Sequence, residues 1–162
     1  GDGADLPVGL DPAQMRARLR QFLTTTLTLL ALIAVSGAFY IRVAPMDVAE
    51  FHRTYPGHDA GDWSMPGGFE AVRRVGGDPQ AALTRLDAII RATPRTKVLS
   101  GSVGEGHVSY VTRSAVWGFP DTTNVWLEGE LLHIHGHLRF GGSDLGVNRA
   151  RIEGWLQALG QL

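Results

Sequence analysis

Cysteine is missing from this sequence altogether. Its absence excludes disulfides, thiolate metal sites and cysteine nucleophiles, and leaves the redox compartment open. A charge imbalance is missing too: 15 Lys and Arg stand against 16 Asp and Glu, for a formal net charge of -1. No broad basic face is left to attract nucleic acid, so no nucleic-acid partner is expected. There is no internal repeat, no low-complexity tract, no nucleophile elbow and no paired acidic motif of the glycosidase type. No cofactor is expected. A chain of 162 residues has room for one domain and little more.

One stretch lacks charge completely. From Phe22 to Ile41 the chain reads FLTTTLTLLALIAVSGAFYI, twenty residues without a charged side chain. At about 1.5 Å rise per residue such a helix spans roughly 30 Å, the hydrocarbon thickness of a bilayer. Its threonines can bond back to carbonyls a turn earlier. Phe39 and Tyr40 fall where an interfacial aromatic belt belongs, and Arg42 can snorkel beyond them. The rival reading is a cleaved signal peptide, with Ser36-Gly37-Ala38 as the cleavage site. The apolar run continues past that point, which favours a retained anchor. Arg16, Arg18 and Arg20 precede the run, and only Arg42 and Arg53 follow it closely. The positive-inside rule then keeps the N-terminus cytoplasmic.

The expected layout is a cytoplasmic tail over 1–21, a transmembrane helix over 22–43, an irregular linker over 44–68 and an extracytoplasmic α+β domain over 69–162. The linker holds three prolines and scattered aromatics. Beyond it, Asp78 and Pro79 form a helix start, and Leu83, Leu86, Ile89 and Ile90 recur at helical spacing until Pro94. From Lys97 the period changes to two, with turn residues between successive strands, and a last helix carries Ile152, Trp155, Leu156 and Leu159. The order predicts an antiparallel sheet of about four to five strands with two helices on one face.

Three sets of residues could carry chemistry. His133, His135 and His137 alternate, so a strand would project all three from one face, opposite Leu132, Ile134 and Leu138. Such a row can bind zinc if a third ligand arrives from elsewhere. With no cysteine and no patterned carboxylate beside it, an exposed sheet face bearing imidazoles is the expectation. The loop GGSDLG (141–146) stands where a phosphate loop would, but it lacks the Gly-Lys-Ser/Thr ending. Asp144 reads instead as a helix cap. Arg113, Arg139, Arg149 and Arg151 gather near turn residues in sequence. With Ser143, Asp144 and Asn148 they form either a structural lattice on Asp121 and Asp144 or a pocket for an anionic ligand. Within the span, Ala34, Gly37 and Ala38 offer a small-residue surface for a partner helix, and Phe51, Tyr55 and Trp63 would extend that contact above the membrane.

The stretches YVTRSAVWGFPDTTNVWLE (110–128) and RFGGSDLGVNRARIEGWL (139–156), with IRVAPMDVAEFH (41–52), resemble domain of unknown function family 1499, in its membrane-anchored proteobacterial form. The resemblance covers roughly residues 40 to 160. Arg139, Ser143, Asp144, Gly146, Asn148, Arg149 and Arg151 match its most distinctive motif. The sequence departs at His135-Gly136-His137, where the family pattern implies a Ser-Arg or similar polar pair. The resemblance implies a fold and a location in the bacterial inner membrane, with no activity attached. The leading expectation is a non-catalytic accessory protein docked on a larger integral membrane complex. The alternatives are an anionic-ligand module using the arginines and a hydrolase or metalloenzyme on the histidine strand.

Overall fold

The computed structural model describes residues 11–55 and 57–161; the first ten residues of the expected tail lie outside the described residues. The chain divides into two compact units between Tyr40 and Ile41. The described residues of the first belong almost entirely to one helix, α1 (Pro12–Val43), whose N-terminus is capped where Asp11 accepts from the Ala13 N–H at 3.3 Å. No residue of α1 is buried. It is the one helix among the described residues long and apolar enough to cross a membrane. The Thr28 hydroxyl donates to the Thr24 carbonyl at 2.9 Å, and that of Thr24 to Gln21 at 2.9 Å, so these threonines satisfy themselves within the helix.

The second unit is an α+β domain. Six strands, β1 (Gly61–Met65), β2 (Gly68–Arg74), β3 (Thr96–Ser102), β4 (His107–Arg113), β5 (Pro120–Glu128) and β6 (Leu131–Leu138), form one antiparallel sheet in the order β1-β2-β6-β5-β4-β3. The expected four to five strands become six. The additional strand, β1, lies inside the stretch expected as irregular linker; it is an exposed edge strand without alternating apolar residues, so periodicity could not reveal it. The same stretch holds the single turn α2 (Val48–Phe51), capped by Asp47.

Two helices cover one face of the sheet: α3 (Pro79–Ala92) and α4 (Val147–Leu159). Asp78 caps α3 through the Gln80 N–H at 2.9 Å with Pro79 in the first turn, as its sequence dictates. Leu83, Leu86 and Ile90 of α3 meet Val108, Val125, Leu132 and Ile134 from the strands and Ile152 and Trp155 from α4, in one core. Two polar anchors fix the layers. The Tyr110 hydroxyl donates to Asp87 at 2.6 Å, and the Trp155 indole donates to Thr93 at 2.8 Å. At Gly136 a Cβ would come within 3.0 Å of the Asn148 side chain and 3.1 Å of Ile152, so the missing side chain is what lets α4 lie so close to β6.

Alternation leaves a second face on the sheet, and the expectation of an exposed one is corrected. His133 and His135 are buried there, together with Glu70, Ser109, Asn124 and Trp126. The described residues of the segment 44–60 cross this face as a strap, with His52 against Ser109, Tyr55 against His135 and His58 against Glu70. Its partners belong to β2, β4, β5 and β6, from 12 residues away for His58 and Glu70 to 71 for Arg53 and Asn124.

Candidate functional site

The strap and the second face together collect all six histidines of the chain. At the centre is Glu70 of β2, fully buried. The ladder sets its neighbours: Glu70 pairs with His135 and Val72 with His133 across β2 and β6, and Trp126 pairs with His133 across β5 and β6. Side chains at matched register share a face. His133 Nδ1 donates to one carboxylate oxygen at 3.0 Å, and His58 Nδ1, from the strap, donates to the other at 2.9 Å. His135 Nδ1 stands 3.5 Å from that second oxygen, near enough for charge to be felt but without a hydrogen bond. Burial pushes the Glu70 carboxyl up; the imidazoles of His135, His133 and His58 outweigh it and draw the group from an ordinary 4.5 down to about 2. Glu70 is therefore a carboxylate at neutral pH.

Stacked rings enclose this centre. Trp126 lies on His133 with centroids 4.6 Å apart, Tyr55 on His135 at 3.8 Å, and Trp63 on His58 at 4.4 Å. A second knot ties the strap further along. His52 stacks on His107 at 4.0 Å and shares a 2.6 Å hydrogen bond with Ser109, which donates to Asn124; the Arg53 N–H reaches the same Asn124 oxygen at 3.3 Å. Burial, then the neighbouring His52, lower the His107 pKa. His133 Nε2 has no hydrogen-bond partner, with Glu128 Oε2 at 3.5 Å.

Chemically this is a buried anion under imidazole donors. Among the described residues no group of three or more His, Cys, Asp or Glu side chains is arranged to hold a metal ion. The three main hollows are lined by neither Glu70, His58, His133 nor His135. His137, the third of the row, is half-buried beside a different hollow with Arg139.

The arginines do not converge. Arg139 lies over the rings of Phe51 and Phe140, with its guanidinium carbon 5.4 and 4.9 Å from their centroids. Arg149 covers Phe69 and pairs with Glu153 at 2.8 Å. Arg151 bonds Asn148 at 2.9 Å and Asp121 at 3.2 Å, the structural lattice in miniature. Arg113, at the end of β4, donates to the carbonyls of Ile41 and Gly118 at 3.2 and 3.0 Å. Asp144 works from two residues before the helix cap position, held by Gly146: its oxygens accept from the N–H groups of Gly146 at 3.1 Å and Asn148 at 2.9 Å. Burial raises the Asp144 pKa, but those backbone donors prevail and lower it. Ser143 bonds the Leu145 N–H at 3.2 Å, closing the same turn. Phe51 and Tyr55 lie half-buried on the strap, and Trp63 is 39% exposed on β1.

The family model described as Protein of unknown function (DUF1499) matches residues 38–159. The chain belongs to the DUF1499 family. The match takes in the strap, all six strands and both covering helices, so the strap is part of the DUF1499 domain and not an addition to it. No curated protein matches. Among solved structures, a DUF4468 family protein from Bacteroides ovatus ATCC 8483 is similar at 9% identity and a TM-score of 0.33. That match covers 57% of this chain and 63% of the other, so this DUF1499 chain spans less than two thirds of that protein's length.

Sequence reasoning missed Glu70, His52, His58 and His107. The available signal was Glu70 standing between Phe69 and Ala71 in an apolar strand, which alternation assigns to the histidine face.

Proposed function

We propose that this DUF1499 protein is a single-pass, non-catalytic accessory protein of the bacterial inner membrane, docked on a larger integral membrane complex. Its N-terminus is cytoplasmic and its domain periplasmic. The observation that carries this reading is the join between span and domain. Ile41 ends the uncharged run, yet its carbonyl already accepts from Arg113, and Arg42 Nη2 donates to the Val116 carbonyl at 2.9 Å. The folded domain therefore begins at the residue where the apolar run stops. In this reading a domain that starts there has no long linker to carry it away from whatever flanks the span.

Catalysis has no place in this reading, because the Glu70 centre spends its hydrogen bonds on His133 of β6 and His58 of the strap. The span supplies a contact for a partner helix: Ala34, Gly37 and Ala38 bring backbone close to a neighbour, and a side chain at Gly37 would meet nothing within 4 Å. Reporter fusions at both termini test the orientation; a C-terminal reporter active only in the cytoplasm refutes it. Replacing Ala34 and Ala38 together by leucine should release co-purifying membrane subunits in mild detergent while the domain stays folded. Retention of the same subunits in the same ratio would reduce the helix to an anchor.

A further inference from the structure

A hollow of about 640 Å³ opens between β3, β4 and the loop from Ser114 to Phe119. Four cations line it: Arg42, Arg95, Lys97 and Arg113. No carboxylate is among its lining residues, and none of the four forms an ion pair among the described residues. Elsewhere in the domain, Arg73, Arg74, Arg91, Arg149 and Arg151 are all paired. Neutral carbonyls hold the guanidinium groups here instead. Arg113 is fixed by Ile41 and Gly118, Arg42 by Val116, and Arg95 Nε donates to the Arg113 carbonyl at 3.1 Å. Such bonds position the side chains without cancelling their charge. Like charges brought together without a counter-charge repel, and an anion in their midst relieves that repulsion.

Apart from Ser114 the rest of the hollow is apolar, with Met46 and Leu99 among its walls. Its neighbouring loop, the one held by Arg42 and Arg113, presents Val116 71% exposed, Trp117 58% and Phe119 37%. Exposed aromatic and aliphatic side chains beside a span's end are the composition of the membrane interface. In the membrane-anchored reading Arg42, directly after the uncharged run, falls where headgroups lie.

We infer that this hollow binds a phosphate-bearing anionic lipid, with its headgroup among Arg42, Arg95, Lys97 and Arg113 and its chains leaving along Val116, Trp117 and Phe119. Forked guanidinium donors suit phosphate oxygens, and a lipid supplies the apolar portion that free phosphate lacks. The inference rests on the membrane-anchored reading and names what the domain holds at that surface. Arg113 is the only residue shared with the cluster expected from sequence.

The test uses the full chain in a neutral maltoside detergent. Dioctanoyl phosphatidylglycerol, dioctanoyl phosphatidylcholine and inorganic phosphate are titrated in turn, and binding is read by calorimetry and tryptophan fluorescence. Phosphatidylglycerol should bind at least tenfold more tightly than either of the others. At roughly 1 kcal/mol for each basic residue near an anionic headgroup, Arg95→Gln with Lys97→Gln should weaken it about thirtyfold. Lys97→Gln alone, at an exposed position without a side-chain hydrogen bond, should weaken it about fivefold on the same basis and guards against misfolding of the double variant. Arg85→Gln, exposed on α3 away from the hollow, should change nothing. Equal binding of the two lipids, full binding by the double variant, or an equal loss in Arg85→Gln would overturn the site. Inorganic phosphate binding as tightly as phosphatidylglycerol would overturn the lipid. The reporter fusions fail or succeed independently of all these titrations.

Discussion

Replacing Glu70 by glutamine keeps the shape of the buried centre and removes its charge. The wild-type carboxylate is fully buried and accepts from His133 at 3.0 Å and His58 at 2.9 Å. An amide retains one acceptor and turns a donor toward ring N–H groups, so at least one hydrogen bond to a charged group is lost. The fall of the Glu70 pKa from 4.5 to about 2 gives an independent magnitude: at about 1.4 kcal/mol per tenfold it corresponds to about 3 kcal/mol. For a unit of this size that shifts the melting temperature by roughly 10 °C. The sign with pH is fixed. A carboxyl whose pKa is depressed by folding stabilises fully above its unfolded value and loses that contribution as pH falls toward its folded value. The gap between wild type and Glu70→Gln should therefore be about 3 kcal/mol at pH 7, narrow below about 4.5 and close near 2. Urea titrations of the full chain in neutral detergent, followed by tryptophan fluorescence at several pH values, measure it. Glu128→Gln is the control, since that carboxylate is 63% exposed and only 3.5 Å from His133 Nε2; its effect should stay below about 0.5 kcal/mol. No gap at pH 7, or a gap that persists undiminished at low pH, would refute the ionised, imidazole-held Glu70.

Asp144→Ala removes two backbone hydrogen bonds at the start of α4 and should cost about 1 kcal/mol; an unchanged melting temperature would free Asp144 from its structural role. Gly136→Ala drives a methyl group against Asn148 and Ile152 and should cost about 1–3 kcal/mol; a neutral result would mean that α4 can retreat from β6. In wild type, stability tied to neutral His107 is lost as pH falls below the ordinary histidine value. His52→Ala, which removes both the covering ring and the neighbouring charge, should move the His107 titration upward by NMR, and an unmoved or lower value would contradict the stacked pair.

Local patterns carried the helix-covered layer. Asp78 and Pro79 announce α3, and alternation along Leu132, Ile134 and Leu138 assigns the face it covers. The strap was illegible for a physical reason. Among its anchors are single polar contacts, His52 to Ser109 and Arg53 to Asn124, made across 57 and 71 residues, and no short-range periodicity encodes such pairs. The arginine set was legible as residues and misleading as a cluster. Arg149 and Arg151 are two apart on a helix, hence on opposite sides of it, so one covers Phe69 while the other reaches Asp121. The uncompensated cations were hidden for the converse reason: Arg42, Arg95, Lys97 and Arg113 are scattered along the chain, and only the sheet brings them to one hollow.

The strap also sets an order of events. Ribosomes make residues 44–60 before any of the strands they cover, and β6, which carries His133 and His135, emerges some seventy residues later. Until then His58 has no complete centre to bind, and the segment must wait as an open chain. Contacts of such long range close late and set the pace of folding. The piece synthesised first is thus the piece that docks last, and in the finished protein it should be the first to lift away, read as the fastest amide exchange in the domain outside its turns.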